Sequence, residues 1–135
     1  MSVTSGPFVA IAVFCQRVDM QADGSADVIG IVDGVALTPQ QPGDAPPLIL
    51  SVRAVIALRA GDHRGACTIG IRGSYPSGTE GLNAQRVVQF TDQRPAVTLN
   101  VPLELELPEP GVYRFEISGD DQLLTVMTLT VERAN

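Results

Sequence analysis

The chain has 135 residues, of which 44% are apolar and 18% charged, a length that fits one domain able to build a core without metal or disulfide. Nine Arg oppose fifteen acidic residues and there is no Lys, leaving a net charge of −6. That balance repels phosphate backbones and anionic lipid, so nucleic acid and membrane surfaces are poor partners, and the Schiff-base amine is missing from the nucleophiles.

Residues 1–6 are expected to be a flexible tail. Phe8 to Cys15 is an uninterrupted apolar run that opens a first strand, Phe8–Met20. It imitates a lipoprotein signal, but no basic residue precedes it and bulky Phe14 stands before the Cys. It is also too short to cross a bilayer. The expectation is a strand buried on both faces, in a cytoplasmic protein. A polar turn over 21–25 leads to a second strand, Val28–Leu37, in which Ile29, Ile31, Asp33, Val35 and Leu37 share a face. Gly30 and Gly34 lie opposite, and glycine within a strand marks a bulge or a close backbone approach.

Residues 38–47 carry four prolines and form a connection that is expected to cross between sheets. Leu48–Leu58 alternates, with Leu48, Leu50, Val52, Ala54, Ile56 and Leu58 on one side. Gly61 to Gly65 has the composition of a hairpin tip. Cys67, Ile69, Ile71 and Tyr75 form the inner row of the next strand, and 76–83 is a second irregular loop. Gln85–Thr91 is shorter and less apolar, which suits an edge. Val97–Leu107 alternates most strongly, but Pro102 cannot donate to a ladder and Glu104 and Glu106 discourage further pairing, so it also belongs at an edge or bulge. Pro110-Gly111 opens a run with Tyr113, Phe115 and Ile117 inward. Gly119-Asp120-Asp121 turns it into a last strand, Gln122–Glu132, with Gly expected to supply positive φ.

Eight strands with turn residues between them predict an all-β, single-domain antiparallel β-sandwich over 1–135, immunoglobulin-like or similar. Asp27-Val28-Ile29-Gly30-Ile31-Val32-Asp33-Gly34-Val35, the Pro110-Gly111-Val112-Tyr113-Arg114-Phe115 segment and the apolar first strand together resemble a family of small uncharacterised bacterial β-sandwich proteins. The resemblance covers most of the chain and implies a fold; it implies no activity and no site residues.

The chemistry-bearing residues point away from catalysis. His63 is the single histidine, placed between Asp62 and Arg64 in a solvated turn where no base would be firmly held. Cys15 and Cys67 have apolar flanks and fit buried thiols acting as small hydrophobes, although their pairing stays open. Asp19, Asp23 and Asp27, and the pair Asp120-Asp121, are the candidates for calcium or carboxylate chemistry, yet turn formation accounts for them. Asp33 is either a strand-end turn residue in solvent or a buried carboxylate with an internal partner. Tyr75 is the one aromatic platform available to a sugar. The sequence therefore predicts no catalytic, metal or cofactor residues. It predicts a non-enzymatic protein-binding or assembly module that uses loops 38–47 and 76–83. The alternatives are a subunit of a homo-oligomeric particle and, more distantly, a calcium-dependent or carboxylate-based hydrolase.

Overall fold

The computed structural model describes residues 6–23, 25–37 and 48–133. Nine strands are described: β1 (Phe8–Met20), β2 (Ala26–Val32), β3 (Gly34–Leu37), β4 (Leu48–Arg59), β5 (Gly65–Ser74), β6 (Glu80–Phe90), β7 (Ala96–Leu107), β8 (Gly111–Gly119) and β9 (Gln122–Arg133). They form a four-stranded sheet in the order β2-β1-β4-β7 and a five-stranded sheet in the order β3-β9-β8-β5-β6.

The alternation read from the sequence is what joins the sheets. Val52, Ala54, Ile56 and Leu58 of β4 and Val101, Leu103, Leu105 and Leu107 of β7 are buried on one side. Cys67, Ile69 and Ile71 of β5, Tyr113, Phe115 and Ile117 of β8 and Met127, Leu129 and Val131 of β9 meet them from the other. Phe14 packs edge-on against Phe115 across the gap, with ring centroids 4.8 Å apart. The expected sandwich is therefore present, and β6 and β7 occupy sheet edges as expected.

Four expectations are corrected. The predicted second strand is two strands. β2 pairs with β1 in the first sheet, the chain bends at Asp33, and β3 pairs parallel with β9 in the second. The sandwich thus contains one parallel pair, and the proposed common face of Ile29, Asp33 and Val35 does not exist. Asp33 is exposed at the bend, where its carbonyl accepts the Thr130 N–H at 3.2 Å. Gly61–Gly65 is not a hairpin tip, because β4 and β5 lie in different sheets; it is an arch over one end of the sandwich. The run 76–83 is only partly loop, since β6 starts at Glu80. In the last hairpin, positive φ falls on Asp120 (47°) and Asp121 (68°) rather than on Gly119, the pattern of a type I′ turn. Connection 38–47 joins β3 of one sheet to β4 of the other and itself lies outside the described residues, as does the expected tail up to residue 5.

Pro110-Gly111 has a structural task. Gly111 has φ of 134°, and a Cβ there would lie 2.7 Å from the Pro76 side chain. Beyond it, the Tyr113 hydroxyl donates to the Glu109 carbonyl at 2.7 Å and accepts the Glu109 N–H at 3.1 Å. This is a tyrosine corner, in which a buried ring holds the backbone four residues upstream. Burial raises the Tyr113 phenol above its usual range, against a smaller downward pull from its bond to Glu109.

Tyr113→Phe is expected to lower unfolding free energy by about 1–2 kcal/mol in urea titrations, since two backbone groups lose one partner. The neutral phenol's contribution is present in full below the usual tyrosine range and is lost as pH rises through its raised value. The alkaline decline in stability should therefore be shallower in Tyr113→Phe. Gly111→Ala should cost about 1–3 kcal/mol through backbone strain and collision with Pro76.

Candidate functional site

The arch that follows β4 brings together residues far apart in the chain. Ala60 N–H bonds the Pro95 carbonyl at 2.7 Å, and His63 N–H bonds the Ala60 carbonyl at 3.0 Å. Arg64 closes the arch by donating to the carbonyls of Gly61 and His63 and by pairing with Asp92 at 2.7 Å. The half-buried His63 ring packs edge-on to Phe90 at 5.8 Å. Its Nε2 lies 3.1 Å from the Ala66 carbonyl, and a carbonyl can only accept, so this contact places the proton on Nε2.

Asp120 reaches the same place from the β8–β9 turn. Its N–H donates to the Thr68 carbonyl at 2.9 Å, and its Oδ1 accepts the Thr68 N–H at 2.9 Å. Cys67, the residue before Thr68, is buried beside these contacts. A nitrogen of His63, the Cys67 Sγ and an Asp120 carboxylate oxygen lie within 4.8 Å of one another. Burial raises the Cys67 thiol above its usual range, and the charge of Asp120 adds to the rise. A thiol shifted upward carries less of the thiolate that acts as nucleophile. Read from sequence alone, His63 is a lone turn residue and Cys67 an isolated hydrophobe; neither reading brings them together. The short interval from His63 to Cys67 was visible in the sequence. The approach of Asp120 was not, because it depends on strand order.

A second feature is the outer face of the four-stranded sheet. The register pairs Ile11 with Ala57, Val13 with Val55 and Cys15 with both Arg53 and Ile31. All of these lie opposite the core row of Val9, Ala12 and Phe14. The expectation that Phe8–Cys15 is buried on both faces is corrected: Phe8 is 46% exposed, Ile11 53% and, beside them on β2, Ile31 63%. Cys15 and Val55 are buried yet stand apart from the core cluster between the sheets. They form the centre of an outward apolar patch bordered by Arg17, Arg53, Arg59 and Asn100. Arg53 Nη1 donates to Asn100 Oδ1 at 3.4 Å. Antiparallel sheets usually turn a polar face to solvent; here the face is polar along β7 and at its borders but apolar over the middle of β1 and β4.

The remaining candidates resolve into structural roles. Asp23 Oδ1 accepts Ser25 N–H at 3.0 Å and Ser25 Oγ–H at 2.6 Å, the bonds of a turn, and they hold its carboxyl below the usual range. Asp27 accepts from Gln21 Nε2 at 2.7 Å, and Asp19 pairs with Arg17 at 3.2 Å. Tyr75 is half-buried, its ring edge-on to Tyr113 at 5.8 Å, so it is no open platform. It lines a cavity of about 200 Å³ at the open side between β6 and β7, with Leu82, Glu104, Glu106, Tyr113 and Phe115. Both cysteines are free. No helix among the described residues is long and apolar enough to cross a membrane.

The chain belongs to a family of unknown function, DUF6941, and the match spans residues 10–132, in agreement with the resemblance drawn from its strand motifs. No curated protein matches the sequence. An immunoglobulin-like protein from Pseudomonas aeruginosa is similar in structure at a TM-score of 0.42 and 12% identity, over 97% of this chain and 100% of that one. A β-glucosidase from Listeria innocua is similar at 0.46 and 11% identity, over 90% of this chain and 16% of that one. A Pseudomonas fluorescens alkylpurine DNA glycosylase is similar at 0.41 and 9% identity, over 90% and 30%.

Because both thiols are buried, neither should react with a chromogenic disulfide reagent in the native protein, and both should react at once in denaturant. Rapid native reaction of either thiol would contradict the burial described.

Proposed function

We propose that this family member is a non-enzymatic protein-binding module that docks through the outer face of its four-stranded sheet. The observation that carries the reading is the apolar patch of Ile11, Val13, Cys15, Ile31 and Val55, which lies outside the core. A buried centre with a polar border is the anatomy of a protein interface, and exposed apolar patches on soluble domains mark interaction sites. The border supplies charge as well. Arg53 and Arg59 stand on this face beside Arg17, which Asp19 pairs at 3.2 Å, and β7 adds Glu104 and Glu106, so the fitting partner is a protein with an apolar centre and a rim of mixed charge. A cytoplasmic setting, in which both thiols stay reduced, accords with this reading.

Assembly through strand edges, the rival reading, is disfavoured by the edges themselves. β2 is interrupted by Gly30 at φ of 72°, and β3 has four residues. On β6, Arg86 stands on the core-facing row opposite Ile69 yet remains exposed. β7 carries Pro102 with Glu104 and Glu106. Short length, bulges, proline and inward charges are all devices that blunt edges.

Light scattering over a concentration series is expected to show a monomer or a discrete dimer; an open-ended polymer would favour edge assembly. The double variant Ile11→Glu/Ile31→Glu should keep the wild-type melting temperature within a few degrees while losing the bound protein, or the dimer. If association survives that variant unchanged, the proposed face is not the docking surface.

A further inference from the structure

We propose that His63, Cys67 and Asp120 form a binding site for one thiophilic divalent cation of the zinc class. This rests on the geometry at the arch end of the sandwich and is independent of the docking face.

Three observations converge. The first is the donor set: one imidazole, one thiol and one carboxylate, mutually within 4.8 Å. A mixed nitrogen, sulfur and oxygen set suits zinc and its first-row neighbours, whereas calcium and magnesium seek oxygen alone. The second is orientation. The tripeptide Ala66-Cys67-Thr68 supplies one ligand and positions the other two. The Ala66 carbonyl faces His63 Nε2 at 3.1 Å, and the Thr68 N–H holds Asp120 Oδ1 at 2.9 Å. Outer hydrogen bonds of this kind, imidazole N–H to a backbone carbonyl and a carboxylate held by a donor, are what orient metal ligands. With the proton on Nε2, Nδ1 is the ring nitrogen that keeps a free lone pair.

The third is charge. A thiolate and a carboxylate together cancel a divalent cation, while the imidazole adds none. Binding converts Cys67–SH and M²⁺ into Cys67–S⁻–M²⁺ with release of one proton to solvent; no electron moves. Metal–ligand bonds of about 2.0–2.3 Å place tetrahedral donors roughly 3.3–3.8 Å apart. The trio must therefore close by up to about 1 Å from its 4.8 Å limit, through small shifts of the arch and of the exposed Asp120 side chain that keep both outer hydrogen bonds. Three protein ligands leave a fourth position for water, open toward the exposed Asp120 side.

The probe is cobalt(II) chloride added to the full chain freed of metal by chelator, with zinc chloride in competition. The wild-type chain should bind one cobalt(II) with a near-ultraviolet thiolate-to-metal absorption, and zinc should displace it. Cys67→Ala should abolish that absorption, whereas Cys15→Ala should retain it. His63→Ala and Asp120→Asn should each weaken binding at least tenfold. His63 lies on the arch and not in the core, so its variant should fold even if Cys67→Ala does not. Absence of saturable one-to-one binding by the wild type would overturn the proposal. So would binding left unchanged by both His63→Ala and Asp120→Asn, or an absorption lost with Cys15 rather than Cys67.

Discussion

No charged or amide side chain of the described residues is buried between the two sheets. Among the described residues, every side chain buried there is apolar, apart from the Tyr113 hydroxyl and the Cys67 thiol at its margins. Burying an unpaired polar group would cost several kcal/mol, so each group capable of chemistry is forced to an end, an edge or an outer face. The tyrosine corner follows from this rule, since the phenol can enter the core only by carrying its oxygen back to the Glu109 backbone. The arch-end trio follows too, because Cys67 is the first inward residue of β5 and sits where the core meets the turns.

Alternation made the strands legible. β1, β4, β7, β8 and β9 lie within a residue or two of their expected bounds because one face of each meets a single apolar layer. The failures have one physical cause: periodicity records which side of a strand is apolar, not which sheet the strand belongs to. Val28–Leu37 looks continuous because both of its halves are apolar, yet the bend at Asp33 transfers it from one sheet to the other. Gly61–Gly65 has hairpin composition, but glycine and aspartate serve arches equally well. The outward row of β1 reads as a second buried face because apolar residues facing outward and apolar residues facing a core are identical in sequence.

The candidate sites were less legible for the same reason. Asp23, Asp27 and Asp19 proved to be turn and ladder residues, as local chemistry suggested. The meeting of His63, Cys67 and Asp120 depends on β5 lying beside β8, a pairing between segments about fifty residues apart that no local pattern encodes. Even in the last turn, the two aspartates carry the positive φ that composition leads one to expect of Gly119. That strained geometry sets the Asp120 backbone against Thr68.

The parallel pairing of β3 with β9 has a consequence for how the chain is made. β8 and β9 come after the other strands of the five-stranded sheet in the chain, yet they lie inside it, and β3 cannot find its neighbour until they emerge. On a ribosome, β1, β2 and β4 would already have paired while their inner faces still waited for cover. An uncovered sheet of this kind exposes apolar surface, the condition under which incomplete domains aggregate. The blunted edges of β2 and β7 would then protect the nascent chain as well as the finished domain.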